Sequence, residues 1–229
     1  MAKLILVRHG QSRWNLDNKF TGWVDVPLSQ QGISEAEQAA SQLKDVSIDV
    51  AFTSKLTRAQ ETLLIILAQQ GNTGIFMHEK GKMKKWTKHL AQGKEILIHS
   101  SEKLNERYYG DLQGMNKDVA RDSFGKEVVF KWRRGYADKP PKAESLKDVY
   151  HRTIPYFKKN IIPELIKGYD VIVSAHGNSL RSIIKFLDGI SDEEIPHLEL
   201  ATGKPVIYDY DEGKFVKETE KHQLNRPME

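Results

Sequence analysis

Apolar residues in this chain fall into two alternating patterns: short unbroken runs, and longer stretches spaced as on a helix. Leu4-Ile5-Leu6-Val7, Val50-Ala51-Phe52-Thr53 and the segment Asp170 to Ala175 are runs of strand length without polar alternation. Such runs fit strands buried on both faces of a parallel sheet. Between the first two, Ile33, Ala36, Ala40 and Leu43 recur on one helical face, with Ser34 and Glu37 forming a capping-box pattern. Ser54 is placed to cap a second helix carrying Leu56, Leu63, Ile66 and Leu67. A third helix is predicted from Glu144 to Ile166, with Leu146, Val149, Thr153 and Phe157 on its apolar stripe and a kink at Pro155. Asn178 to Leu187 predicts a fourth. Glu95 to His99 reads as a strand. The stretch before it, about 71–93, is longer than compact domains usually leave without structure and reads as an inserted loop. Pro205 to Tyr210 and Lys214 to Lys217 form a hairpin pattern turning at Asp211-Glu212-Gly213. The alternation predicts an α/β fold with a mostly parallel central sheet.

The length of 229 residues suits one domain, residues 1–229, ending in a short polar tail at about 218–229. With 39% hydrophobic and 29% charged residues, the composition is that of a globular chain. No apolar run approaches the ~20 residues that cross a bilayer, and Met1-Ala2-Lys3 leads directly into the first strand without an export signal. A cytoplasmic protein with no membrane association is expected. The absence of cysteine excludes disulfides, thiolate catalysis and Cys-ligated zinc. The net charge of +4 favours anionic partners. Lys80, Lys82, Lys84, Lys85, Lys88 and Lys94 crowd around Trp86 and His89, but no nucleic-acid module accompanies them. They read as a solvated insertion, and nucleic acid is not an expected partner. No phosphate loop ending in Gly-Lys-Ser or Gly-Lys-Thr is present.

Two of the apolar runs end alike, in Arg8-His9-Gly10 and Ala175-His176-Gly177. Ligands of open parallel sheets bind outside the carboxyl ends of the strands, so both histidines stand where chemistry is usually done. Paired histidines near a carboxylate such as Glu106 raise the possibility of a metal. The permanent charge of Arg8 opposes a divalent cation and favours an anion. Either histidine alone fits a structural strand-end role equally well, and the matching placement of two weighs against it. Arg58 falls in the first turn of the helix after the second strand, at the same edge. Bound to phosphate it could contribute ~1.5–3 kcal/mol. As an exposed pair with Glu61 it would contribute only ~0.3–0.5 kcal/mol.

The run Leu6-Val7-Arg8-His9-Gly10-Gln11-Ser12, then Trp14-Asn15 and Phe20-Thr21-Gly22-Trp23, resembles the amino-terminal signature of the histidine phosphatase superfamily, and within it of the cofactor-dependent phosphoglycerate mutases. Leu104-Asn105-Glu106-Arg107-Tyr108-Tyr109-Gly110, Leu112 to Lys117, Trp132-Arg133-Arg134-Gly135 and Ala175-His176-Gly177-Asn178-Ser179 follow in family order. The resemblance implies a sheet flanked by helices on both faces, and a cytoplasmic isomerase of glycolysis and gluconeogenesis that interconverts 3- and 2-phosphoglycerate. It implies His9 as the phosphohistidine nucleophile, Glu106 as proton donor and acceptor, and His176 with Arg8 and Arg58 as stabilisers of the transferred phosphoryl group. Substrate-binding roles are implied for Arg8, Gly10, Ser12, Asn15, Thr21, Gly22, Arg58, Glu106, Arg107, Tyr108, Tyr109, Lys117, Arg133, Arg134, Gly177 and Asn178. Without the family pattern, Glu106 would read as a surface carboxylate paired with Arg107, and Arg133-Arg134 as a solvated helix pair. The resemblance further implies 2,3-bisphosphoglycerate as primer, no metal, phosphoglycerates as small-molecule partners, and a homodimer or homotetramer. Gln11 replaces the more usual glutamate, and Lys139 to Ala143 replaces a longer family segment. A phosphomonoesterase using the same His9 is the second enzyme reading. A non-catalytic anion or nucleic-acid binder is the third, opposed by the joint presence of His9, His176 and Glu106.

Overall fold

A computed structural model describes residues 1–78, 80–87 and 95–218. Along the chain it runs β1 (Ala2–Arg8), α1 (Arg13–Leu16), α2 (Gln30–Gln42), β2 (Val50–Thr53), α3 (Thr57–Gln69), β3 (Thr73–Phe76), α4 (Met83–Thr87), β4 (Glu95–Ser100), α5 (Lys117–Phe124) and α6 (Lys126–Arg134). It continues with α7 (Leu146–Tyr156), a π-helical segment (Phe157–Ile161), α8 (Ile162–Ile166), β5 (Val171–Ala175), α9 (Gly177–Asp188), β6 (Pro205–Asp211) and β7 (Lys214–Lys217). The strands form one sheet of order β3-β4-β2-β5-β1-β6-β7. β3, β4, β2, β5 and β1 are mutually parallel, and β6 and β7 join antiparallel at the far edge.

The unbroken apolar runs have the predicted cause, because both faces of the sheet are covered. Leu4, Leu6, Val171 and Val173 point to one side and pack with Ile154, Phe157, Leu165, Leu180 and Ile184 of α7 to α9. Ile5, Val7, Ala51 and Ile172 point to the other and pack with Ala39, Leu43, Leu63 and Ile66 of α2 and α3. Pro155 lies inside α7, and the chain passes into the π segment directly after it. There the regular ladder is already interrupted by the missing proline N–H. Glu212 and Gly213, at φ 44° and 86°, make the two-residue turn of the predicted hairpin.

Several boundaries differ from the sequence expectation. α2 is capped by Ser29, whose hydroxyl accepts the Gly32 N–H, and Ser34 lies within the helix. Only glycine fits at Gly32, because a Cβ would sit 2.0 Å from the Gln11 carbonyl oxygen. Ser54 is not the cap of α3; that helix starts at Thr57, whose N–H is accepted by the Asp25 carboxylate at 2.7 Å. The inserted loop expected at about 71–93 contains the edge strand β3 and the short helix α4. A four-residue, half-exposed edge strand leaves too little periodicity to be read. Lys88, His89 and Lys94, and the tail beyond residue 218, lie outside the described residues. Among the described residues no helix is long and apolar enough to cross a membrane.

Candidate active site

β1 and β5 are neighbours in register, Arg8 opposite Ala175, so the residues that follow them emerge side by side. His9 and His176 meet edge to face, with ring centroids 4.8 Å apart. His9 is 3% exposed and His176 fully buried. The His9 ring is fixed at both nitrogens: Nδ1 lies 2.6 Å from the Gly10 carbonyl oxygen, and Nε2 faces Arg58 Nε at 3.3 Å. A carbonyl only accepts and a guanidinium only donates, so the proton sits on Nδ1 and the lone pair on Nε2. Burial first, then the charges of Arg58 and Arg8, hold the His9 pKa well below its ordinary value. The ring is therefore neutral at neutral pH. His176 is lowered in the same way, by burial and then by Arg58 and His9, and shares a 2.8 Å hydrogen bond with the Ser54 hydroxyl.

Arg58 is 1% exposed. It makes no pair with Glu61; its guanidinium donates to the Val24 and Gly22 carbonyl oxygens at 3.0 and 2.8 Å. Glu61 instead accepts the Leu28 N–H. Burial lowers Arg58 to about 10, which leaves it cationic at neutral pH. Thr62, one turn further along α3, accepts the Gly10 N–H and donates to the Arg58 carbonyl, locking the turn that carries His9.

These groups open onto a cavity of about 260 Å³. Arg8, Lys19, Arg58, Lys117, Arg133, Arg134 and Arg181 line it, against the carboxylates of Glu106 and Glu199. So lopsided a lining suits a ligand with several negative charges. Arg8 Nε and Thr21 Oγ1 are buried without a protein partner, although both residues line the cavity. Buried polar groups in proteins are seldom left unpaired, and an anion with hydrogen-bonding oxygens would satisfy both.

Glu106 is held from two directions. Its carbonyl oxygen accepts from Trp23 Nε1 at 2.6 Å and Arg152 Nη2 at 2.9 Å. Its Oε1 accepts from the Arg107 N–H and Asn178 Nδ2, both at 2.6 Å. A Cβ at Gly177 would lie 3.7 Å from both Glu106 Oε2 and Arg8 Nε. Oε2 is therefore the carboxylate oxygen beside the cationic site.

Of the sequence-predicted residues, Asn15, Thr21, Gly22, Tyr109, Lys117, Arg133, Arg134, Gly177 and Asn178 line the cavity with Arg8, His9, Arg58 and Glu106. Gly10, Ser12, Arg107 and Tyr108, predicted as binding residues, do not line it, and the His176 ring lies behind His9. Ser12 caps α1. Gly10 gives its N–H to Thr62 and its carbonyl to His9. Arg107 is buried beneath the rim, donating to the Arg133 carbonyl at 2.7 Å. Tyr108 points outward against the edge of Trp23. Sequence reasoning missed Lys19, Phe20, Arg181, Leu198, Glu199 and Leu200 as lining residues. Of the charged ones, Arg181 alone left a signal, one helical turn from Asn178. Burial, followed by Arg107 and Arg134, lowers it to about 10.

A buried neutral histidine at a parallel strand end, ringed by arginines, forms a cationic site suited to a phosphate-sized anion. Residues 4–80 and 83–222 match the histidine phosphatase superfamily (branch 1), and the chain belongs to that superfamily. Its sequence is similar to the 2,3-bisphosphoglycerate-dependent phosphoglycerate mutases of Methanosarcina acetivorans, 47% identical over 95% of both chains, and Methanococcus vannielii, 50% identical over 93% of this chain and 92% of that one. Its fold is that of a solved mycobacterial hydrolase, with a TM-score of 0.76 at 19% identity over 95% of this chain and 97% of the other.

Proposed function

We propose that this chain interconverts 3-phosphoglycerate and 2-phosphoglycerate through a phosphohistidine on His9. The observation that carries the reading is a cavity with two sets of cations. Arg8 and Arg58 flank the His9 nucleophile, while Lys117, Arg133 and Arg134 arrive separately on α5 and α6. A simple phosphatase needs the first set. A mutase must also hold a second anion, so that either carbon can face the histidine.

The lone pair on His9 Nε2 attacks phosphorus while Gly10 keeps the proton on Nδ1. The phosphorus–oxygen bond of the donor breaks, and its oxygen takes a proton from Glu106 Oε2. Arg8 and Arg58 stabilise the charge on the transferring group. In the reverse transfer Glu106 removes the proton from the acceptor hydroxyl as that oxygen attacks the phosphohistidine. The cationic lining and the unpaired Arg8 Nε and Thr21 Oγ1 fit 2,3-bisphosphoglycerate, whose part is to supply the phosphoryl group that loads His9. Arg8 and Arg58 would hold one end, and Lys117, Arg133 and Arg134 the other. These arginines and the lysine take the part of a metal, and the reaction is proposed to need none.

The test is to supply 3-phosphoglycerate with catalytic 2,3-bisphosphoglycerate and a chelator, and to follow 2-phosphoglycerate and free phosphate. Fast isomerisation with little phosphate release is expected. Phosphate release alone would make the protein a phosphomonoesterase, and loss of activity with chelator would overturn the metal-free mechanism.

A further inference from the structure

Arg181 is 4% exposed on α9, three residues after Asn178 and so on the same helical face. Its guanidinium is fastened by one Nη2 to two backbone carbonyls, Arg134 at 2.9 Å and Ile195 at 2.6 Å. From that fixed position Nη1 donates to Asn178 Oδ1 at 3.1 Å. An asparagine amide has two nearly isosteric orientations, and only its hydrogen-bond partners decide between them. A guanidinium has donors and no acceptor, so Asn178 must turn Oδ1 toward Arg181. Its Nδ2 then faces Glu106 Oε1, at 2.6 Å, and the Tyr109 hydroxyl, at 3.4 Å. The flipped amide would set its N–H groups against the guanidinium and its oxygen against the carboxylate, two repulsions in a buried site.

We propose that Arg181 is a positioning residue for proton transfer. By fixing the Asn178 amide it holds Glu106 Oε1, and so presents Oε2 to the oxygen that gains or loses the proton. The inference rests on the mutase reading of the same site. It separates two parts of the chemistry that a general structural role would not separate: the attack of His9 on phosphorus, and the proton exchange at the substrate oxygen. Only the second passes through Glu106.

The experiment compares Arg181→Met, Arg181→Lys, Asn178→Ala and the double variant Arg181→Met/Asn178→Ala with the wild type. Isomerisation of 3-phosphoglycerate is measured alongside the first-turnover burst of nitrophenolate from p-nitrophenyl phosphate, whose leaving group departs without a proton. Arg181→Met should lower kcat for isomerisation roughly 10- to 100-fold, with KM changed less than about threefold and the burst less than about twofold. Arg181→Lys, which keeps one charged donor, should restore part of the loss. The double variant should lose no more than Asn178→Ala alone, because both changes break one chain. A rise in KM at unchanged kcat would make Arg181 a substrate contact and overturn the proposal. Burst and isomerisation falling together, or additive losses in the double variant, would overturn it too. Circular dichroism checks folding; if Arg181→Met does not fold, Arg181→Lys decides, with reduced isomerisation at an unchanged burst expected and an unchanged kcat overturning the idea. The wild-type control reads the parent assignment separately, since failure of the wild type to isomerise counts against the mutase reading and not against the positioning role of Arg181.

Discussion

At the floor of the cavity His9 and Arg58, with His176 behind them, are 3%, 1% and 0% exposed, and the two strands and one helix that carry them belong to the main sheet and its covering layer. At the rim, Lys117, Arg133 and Arg134 stand on α5 and α6, which bury little more than Ala120 and Val129, against Phe20 and Leu112. The floor is thus positioned by the apolar core, with both His9 nitrogens and the Arg58 guanidinium already hydrogen-bonded to protein groups. The rim is positioned by a small satellite cluster and by polar ties, such as Arg134 donating to the Pro196 carbonyl at 3.0 Å and pairing with Glu199 at 2.5 Å. The contrast suggests a division of labour. On the proposed function, the floor supplies phosphoryl chemistry that any small phosphate ester could use, and the rim decides which esters are held.

The comparison breaks most visibly at Arg58. Arg58→Met should lower the rate of isomerisation and of p-nitrophenyl phosphate cleavage alike, by roughly 10²- to 10³-fold, as for removal of one preorganised donor to a transition state. Steady-state kinetics on both substrates checks it; a loss confined to phosphoglycerate would place Arg58 with the rim. Arg133→Met should do the opposite. Loss of one charge-assisted hydrogen bond, ~1.5–3 kcal/mol, should raise KM for 3-phosphoglycerate by roughly 10- to 100-fold, with p-nitrophenyl phosphate cleavage unchanged.

A smaller effect is expected from pH. Burial first, then Arg133 and Arg8, lower Lys117 to about 8. As pH rises through that value Lys117 loses its charge, so KM for phosphoglycerate should climb between pH 7.5 and 9 while kcat moves less. Lys117→Arg should keep KM flat over the same range, and a wild-type KM independent of pH would remove Lys117 from the binding set. The smallest effect concerns stability. His9 and His176 have folded-state pKa values well below 6.5, so below about pH 6.5 the unfolded chain takes up protons that the folded chain refuses. Their contribution is full above pH 6.5 and shrinks as pH falls, by at most about 1.4 kcal/mol per pH unit for each histidine. The thermal midpoint should fall between pH 7 and 5.5, and His176→Gln should flatten the slope. An unchanged midpoint would show that the floor accepts protons freely.

The floor was legible in the sequence for the same reason that it is rigid. Leu4 to Val7 and Val171 to Ala175 are uninterrupted because both faces of their strands are buried, and a His-Gly pair at the end of each run stands out against that background. Arg58 followed from its place at the start of α3. The rim helices left no such trace, since α5 and α6 are short, bury only Ala120 and Val129, and leave Val119, Phe124, Val128 and Phe130 exposed, so their apolar residues do not mark a core-facing stripe. Lys117, Arg133 and Arg134 were found only through resemblance to a family. Arg181 was missed because an isolated arginine reads as a surface residue, and its burial depends on two carbonyls that are distant in sequence. The cap of α3 failed for a related reason, since Asp25 reaches the Thr57 N–H across 32 residues, whereas the Ser29 cap is a local contact with Gly32 that the competing Ser34-Glu37 spacing masked.

Phosphate is proposed to travel through His9, and trapping it there is the most direct test. The protein is incubated with 2,3-bisphosphoglycerate carrying a radioactive phosphate, quenched in alkali and mapped by peptide mass spectrometry, and a parallel sample is chased with 3-phosphoglycerate. An acid-labile, alkali-stable phosphate on His9 is expected, leaving in the chase as labelled bisphosphoglycerate and 2-phosphoglycerate. Label on another residue, or a chase that yields only inorganic phosphate, would contradict it.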